Sequence, residues 1–291
     1  MKNTHMKESI DKAKILVEAL PYINEFKGIT VVIKYGGSAL MNEDIKNTVM
    51  QDIALMKTVG FNPVLVHGGG PEINEALKKR DIKSEFVGGL RVTDERTMEV
   101  VEMVLAGKVN KKITKELSLQ GVKTAGISGT DGNMLNVRKF TPGGKDIGFV
   151  GEIVKVDTTL IEIMIANGFV PVISPVGMDE NGNSYNVNGD YAAVAIAGAL
   201  KAEKLVFLTD VEGILKDVND GSSVYSRIKV SKIKDMIYDG TISGGMIPKV
   251  ECCIEGVKAG VQHVHILDGR VEHCLILEIF TKEGIGTLIQ N

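Results

Sequence analysis

Residues 28–38, Gly-Ile-Thr-Val-Val-Ile-Lys-Tyr-Gly-Gly-Ser, hold a short apolar run that ends on Lys34 and breaks into paired glycines. The pattern returns at 63–71, Pro-Val-Leu-Val-His-Gly-Gly-Gly-Pro. A run of four to eight apolar residues closed by glycine reads as a strand buried on both faces, the mark of a parallel sheet covered by helices. Working outward, further strands are expected at Val122–Ile127, Val170–Ser174, Lys204–Thr209 and Val261–Leu267, beside Ile29–Lys34 and Pro63–His67. Helical periodicity lies between them at Glu43–Val59, Glu72–Arg80, Glu95–Ala106, Asn110–Leu119, Thr158–Ala166, Tyr191–Leu200, Val230–Tyr238 and Lys249–Ala259. Strands alternating with helices give an α/β chain with a mainly parallel central sheet. Two stretches read instead as hairpins: Glu85–Val92 around Gly88-Gly89, and Leu135–Lys139 returning at Phe149–Val156.

Ahead of the first strand, Ile10, Ala13, Leu16, Val17 and Leu20 recur at helical spacing, with Glu8, Asp11, Lys12, Lys14 and Glu18 on the other face. Pro21 removes a donor and is expected to kink this helix before Tyr22–Phe26. Its apolar stripe either packs on its own domain or reaches a neighbouring subunit, and periodicity alone leaves both open. At 291 residues the chain has room for about two compact units. These are drawn as an N-terminal helix (1–27) and lobes at 28–200 and 201–291.

Thirty-four basic residues against 37 acidic ones leave a net charge of −3, which argues against nucleic acid as the main partner. The longest clean apolar run, Tyr191–Leu200, is half the roughly 20 residues that cross a bilayer, so no membrane role is expected. Cys252, Cys253 and Cys274 form no CxxC spacing and fit a reducing, cytoplasmic setting rather than a disulfide framework or a zinc site. No metal-ligand spacing is evident, so no protein-held metal is expected.

Both glycine clusters follow strands directly, where open parallel sheets bind their ligands. Gly36 and Gly37 would let backbone approach a phosphate with Lys34 adding positive charge. Gly69 and Gly70 would expose amides, and Pro71 suits the first turn of the next helix. There is no GxxxxGK[ST] and no GxGxxG after a strand, which excludes a P-loop and argues against a dinucleotide fold. Arg91, alone at the end of a hairpin, offers a planar grip on a carboxylate. Asp190 stands near the start of an alanine-rich helix, where a capping role is the plain alternative. Lys249 follows the turn Ser243-Gly244-Gly245 at a helix entrance.

Six segments in this order resemble the amino acid kinase family: Lys34–Gly37, His67–Pro71, Gly89–Thr93, Asn186–Asp190, Leu208–Ile214, and Gly244-Gly245-Met246 through Lys249. The resemblance, which runs from about Gly28 to the C-terminus, implies an open αβα sandwich of two lobes. The first lobe would bind N-acetyl-L-glutamate and the second ATP with Mg²⁺. The implied reaction phosphorylates the side-chain carboxylate and serves arginine biosynthesis. It further implies that Lys34 and Lys249 stabilise the transition state and that Asp190 positions both. Gly69, Gly70, Arg91 and Asn186 would contact the amino acid. Gly36, Gly37, Asp210, Val211, Glu212, Gly213, Ile214, Leu215, Ser243, Gly244 and Gly245 would contact the nucleotide.

The two ends are similar to those of the hexameric, arginine-inhibited members. That likeness implies a trimer of dimers and an L-arginine site at Tyr22, His273, Glu278, Gly284 and Gly286. Two other readings stay open at this point: a kinase for the substrate one methylene longer, N-acetyl-aminoadipate, and a catalytically inactive arginine sensor.

Overall fold

The computed structural model describes residues 2–36, 43–217, 219–221, 223–281 and 284–291; Gly37 lies outside them. The chain opens with α1 (Lys2–Phe26), β1 (Thr30–Tyr35), α2 (Glu43–Thr58), β2 (Asn62–His67) and α3 (Gly70–Lys78). A small hairpin follows, β3 (Phe86–Val87) and β4 (Leu90–Arg91), then α4 (Glu95–Glu102), a π-helical segment Met103–Val109, and α5 (Asn110–Ser118). Next come β5 (Thr124–Ser128), β6 (Leu135–Lys139), β7 (Gly151–Val156), α6 (Thr159–Ala166), β8 (Val170–Ser174), β9 (Val176–Met178), β10 (Ser184–Asn186) and α7 (Gly189–Ala199). The chain ends with β11 (Lys204–Thr209), β12 (Arg227–Lys229), α8 (Val230–Tyr238), α9 (Met246–Lys258), β13 (His263–Asp268), α10 (Cys274–Phe280) and β14 (Thr287–Gln290).

An eight-stranded sheet in the order β12-β14-β13-β11-β1-β2-β8-β5 forms the middle layer. Every pair in it is parallel except β13 with β14. Val31, Val32 and Ile33 of β1 are fully buried, as the uninterrupted apolar run requires, each worth about 1.5–3 kcal/mol by burial. Side chains alternate across the sheet, so Val31 and Ile33 join one core with α2 and α5 while Val32 joins the other with α7 and α9. The six expected strands and both hairpins form, with ends shifted by at most two residues at most edges. The sheet passes without interruption from β1 to β11, across the boundary drawn near residue 200.

The structure adds four short strands, β9, β10, β12 and β14, that carry no clear periodicity. β12, for example, exposes Arg227 and Lys229 at the sheet edge and buries only Ile228. It also divides the helix expected at Glu95–Ala106: regular α structure stops at Glu102 and widens to a π-helix. α1 continues through Pro21 to Phe26. Its Ile10, Val17 and Leu20 are exposed, so these three side chains of the apolar stripe do not pack on their own domain. Contact with the body is made at the helix end, where Tyr22 meets Phe280 edge-on and Phe26 meets Phe61. Among the described residues no helix is long and apolar enough to cross a membrane.

Candidate active site

β1 and β2 run side by side in register, with Lys34 opposite Val66 and Tyr35 opposite His67, so Gly36 and Gly68 emerge together at the carboxyl ends of the strands. Gly68 N–H donates to the Tyr35 carbonyl at 3.0 Å and ties the two turns together. A side chain at Gly36 would lie 3.3 Å from Gly68 N and 3.4 Å from Lys34 Nζ. Glycine there lets the lysine turn back over the loop. On the other flank, Gly189 sits against Lys34 Cε and the Gly68 backbone.

That contact brings in the start of α7. Asn188 is its cap, its side-chain oxygen accepting from Asp190 N at 2.8 Å and Tyr191 N at 3.3 Å. The capping role open to Asp190 therefore belongs to Asn188. Asp190 instead meets Lys34, Oδ1 to Nζ 2.7 Å, with both side chains mostly shielded.

Beside this pair a cleft is lined by Gly68–Gly70, Phe86, Gly89, Arg91, Leu105 and Asn186–Gly189. Arg91 is almost fully buried, and burial lowers its pKa. Its guanidinium stacks on Phe86 at 4.8 Å, donates to the Ser84 hydroxyl, and lies 3.4 Å from the Gly70 carbonyl. Ser84 donates in turn to Asn74 Oδ1 at 3.2 Å. Asn186 enters from β10 and donates to Thr93 Oγ1 at 3.3 Å. Residues from three separate segments, Gly69 with Gly70, Arg91 and Asn186, thus share one wall.

Lys249, at the start of α9, has its Nζ 3.7 Å from Asp210 Oδ1, just beyond β11. The carboxylate beside this second lysine is Asp210, while Asp190 pairs with the first. The loop after β11 is pinned from three sides. Thr209 Oγ1 accepts from Val211 N, Thr287 Oγ1 accepts from Ile214 N at 2.9 Å, and Arg270 spans Asp268 and Glu212 at 2.8 and 3.1 Å. Gly213, at φ 147°, has no space for a side chain against Thr287. Leu215 closes the loop by bridging to Val224. Gly244 takes φ 55° ahead of α9, and Gly245 is its N-cap.

The residues expected for arginine are carried by α1, by α10 with its N-cap His273, and by the turn before β14. Glu278 of α10 accepts from His265 Nδ1 at 2.7 Å and from the amides of Ile285 and Gly286 at 2.7 and 3.1 Å. Burial raises its pKa, but these bonds outweigh it and the net shift is downward. Gly284, at φ 62°, leaves room for that carboxylate. His273 faces a different group, its Nδ1 2.6 Å from Oδ1 of buried Asp52 on α2. Two buried residues near Glu278, Lys204 and His265, were not among those expected for arginine; His265, in an alternating strand pattern, reads from sequence as structural. Lys204 lies 4.6 Å over the Phe26 ring and feels Glu278, and His265 leaves its Nε2 without a partner among the described residues. Their only signal was polarity inside a strand pattern.

No group of three or more His, Cys, Asp or Glu among the described residues could hold a metal ion. The carboxylates at the site, Asp190 and Asp210, each face a lysine. Such a set suits a phosphate-borne ion rather than a protein-held one.

Residues 30–268 match the amino acid kinase family model. The chain is 56% identical over 282 residues to the acetylglutamate kinase of Thermoanaerobacter sp. (strain X514), covering 97% of this chain and 94% of that protein. It is 53% identical to the acetylglutamate kinase of Methanocaldococcus jannaschii over 98% of both chains. Among solved structures it superposes with TM-score 0.83 on N-acetylglutamate synthase from Neisseria gonorrhoeae, complexed with coenzyme A and N-acetyl-glutamate, at 26% identity. That match covers 96% of this chain and 63% of the synthase, so the chain spans less than two thirds of that protein.

Proposed function

The chain belongs to the amino acid kinase family, and from that premise we propose that it transfers the γ-phosphoryl group of ATP to the side-chain carboxylate of N-acetyl-L-glutamate. The products are an acyl phosphate and ADP, in the route to arginine. One observation carries the reading. The Lys34–Asp190 pair stands where both glycine turns meet α7, with the Arg91–Asn186 cleft alongside.

The nucleophile is a carboxylate, already ionised at neutral pH, so no general base is required. The obstacle is repulsion between that anion and the phosphates, and the remedy is positioning with fixed positive charge. In this reading Arg91 grips the α-carboxylate and Asn186 orients the amide portion of the substrate. Gly69 and Gly70 offer backbone N–H groups to its reacting end. Lys34, directed by Asp190, neutralises charge on the transferred group. Lys249, drawn from Asp210 when nucleotide arrives, does so from the ATP side. Asp210 to Leu215, with Gly36, Gly37 and Ser243 to Gly245, form the nucleotide's surroundings. Magnesium, carried in by the phosphates, would supply further neutralisation. Apart from Gly36 and Gly37, the segment before residue 200 thus serves the amino acid, and the segment after it serves ATP.

The finer reading is regulatory. L-Arginine would bind near Tyr22, Glu278, Gly284 and Gly286, with Lys204 and His265 completing the site, and inhibit by favouring one assembly state. The His265 Nε2, unpartnered among the described residues, and the buried Glu278 carboxylate are acceptors suited to a guanidinium. The exposed stripe of α1 would join dimers into a hexamer. His273, paired to Asp52, would contribute by anchoring α10 to α2.

Hydroxylamine trapping of the acyl phosphate tests the whole reading, using MgATP with N-acetylglutamate or N-acetyl-aminoadipate, with and without arginine. Hydroxamate from N-acetylglutamate, suppressed by arginine, is expected. Preference for the longer substrate would reassign the amino acid, and no hydroxamate from either would refute the transfer.

A further inference from the structure

His67 ends β2 immediately before the glycine loop, and Asn110 opens α5; both side chains are fully buried. Asn110 Nδ2 donates to the Val172 carbonyl at 2.8 Å, and lies 3.3 Å from the Ile127 carbonyl and 3.2 Å from His67 Nε2. Asn110 Oδ1 accepts from Lys111 Nζ at 3.1 Å. Carbonyls can only take N–H, so the amide has one orientation, with one Nδ2 proton on the Val172 carbonyl and the other shared between the Ile127 carbonyl and His67 Nε2. His67 Nε2 therefore faces a donor and acts as the acceptor. Burial pushes the His67 pKa down to about 4, so the ring is neutral with one proton to place. That proton falls to Nδ1, which donates to the Gly68 carbonyl at 2.8 Å.

The surroundings leave space for this network and little else. A side chain at Gly126 would run into Asn110 Oδ1 and Thr114 Oγ1. The π-helical segment Met103–Val109 ends where Asn110 begins. π turns are rare insertions in helices and gather at functional sites. Here the same segment sets Leu105 and Val109 against Gly69, where a Cβ would meet them at 2.7 and 3.4 Å.

We propose that Asn110, acting through His67, is a positioning residue for the glycine loop. It selects the Nδ1–H form of the histidine, which holds the Gly68 carbonyl and so directs the Gly69 and Gly70 amides. The link to substrate rests on the reading of those amides given above.

Two substitutions separate the ring nitrogens. His67→Asn keeps a donor near the Nδ1 position, whereas His67→Gln keeps a polar group near Nε2 only. Since misplacement by about 1 Å costs up to about 100-fold, the Gln variant is expected to raise KM for N-acetylglutamate at least about tenfold and the Asn variant no more than about threefold. Long-range ¹H–¹⁵N spectra of the full chain at neutral pH read the tautomer directly, with the His67 signal identified by its loss in His67→Asn. A neutral ring protonated at Nδ1 is expected. Protonation at Nε2, or on both nitrogens, overturns the relay, and so does an equal KM in the two variants. Failure of the phosphoryl-transfer reading looks different: the wild type would release no ADP with N-acetylglutamate while keeping the Nδ1–H ring. The tautomer would then stand and its link to substrate would fall.

Discussion

Lys34 Nζ lies 2.7 Å from Asp190 Oδ1, and this contact joins the end of β1 to the first turn of α7. The two residues are 156 positions apart in sequence, yet neither is free to be elsewhere. Lys34 is set by the register of β1 between β2 and β11, and Asp190 by the Asn188 cap. An ion pair at a strand's carboxyl end, between two glycine turns, is a poor stabiliser and a good electrostatic tool.

The first prediction concerns that pair. Lys34→Ala should lower kcat by about 100-fold or more, the scale of losing one preorganised stabiliser, while thermal melting changes little. Asp190→Asn keeps the shape but releases the lysine, so kcat should fall by about tenfold or more, with KM for either substrate less affected. Steady-state ADP release measures both. Near-normal turnover in Lys34→Ala would remove the lysine from the mechanism.

Arg91 provides the second. Its guanidinium is planar, stacked on Phe86 and bonded to Ser84 and Gly70, none of which an ammonium reproduces at one site. Arg91→Lys should raise KM for N-acetylglutamate by about tenfold or more, the scale of a lost charged hydrogen bond, and leave KM for ATP nearly constant. Equal movement of both constants would place Arg91 outside the amino-acid site.

Much of this was legible in the chain itself, for physical reasons. Fully buried parallel strands must be continuous apolar runs, so β1, β2, β8 and β11 declare themselves. Glycines after such runs mark the edge where ligands bind, which locates the loops at Gly36 and Gly68. Contacts made by one side chain across the fold leave no periodic trace. Nothing near Asp210 in sequence shows that it meets Lys249, and nothing near Asn110 shows that it meets His67. The π segment is hidden for a related reason. Met103 to Val109 continue a helical pattern, and nothing in that spacing announces that the helix widens where Leu105 and Val109 pack on Gly69.

The third prediction is an acid sensitivity. Burial lowers the pKa of His67 and of His263 to about 4 and lowers that of His265 as well. A depressed pKa means that the unfolded chain binds the proton more readily, so stability is complete above about 6.5 and drains as pH falls towards about 4. Asp52, whose carboxyl burial pushes up, works in the opposite direction. For His67 alone the loss approaches about 1.4 kcal/mol per pH unit within that window. Denaturant unfolding at pH 7, 6 and 5 should therefore show a shallower pH slope in His67→Asn than in the wild type. Parallel slopes would mean that His67 titrates normally in the folded protein.

The fourth prediction turns on α1. Val17 is 63% exposed and Leu20 49%, on a helix whose far end meets its own body through Tyr22 and Phe26. Apolar side chains at helical spacing, held away from any core, lower the free energy only when another surface covers them. Val17→Asp with Leu20→Asp should thus cost the single chain almost nothing, because no buried contact is lost. The same pair of charges inside an interface would each need a partner that an apolar surface cannot supply. Sedimentation velocity is expected to show the wild type as a larger assembly and the double variant as a smaller one. Kinase turnover should survive in the smaller species, since Lys34, Arg91 and Asp190 all sit within one chain, while inhibition by arginine should weaken. An unaltered sedimentation coefficient in the double variant would mean that the stripe is covered by something other than a second copy.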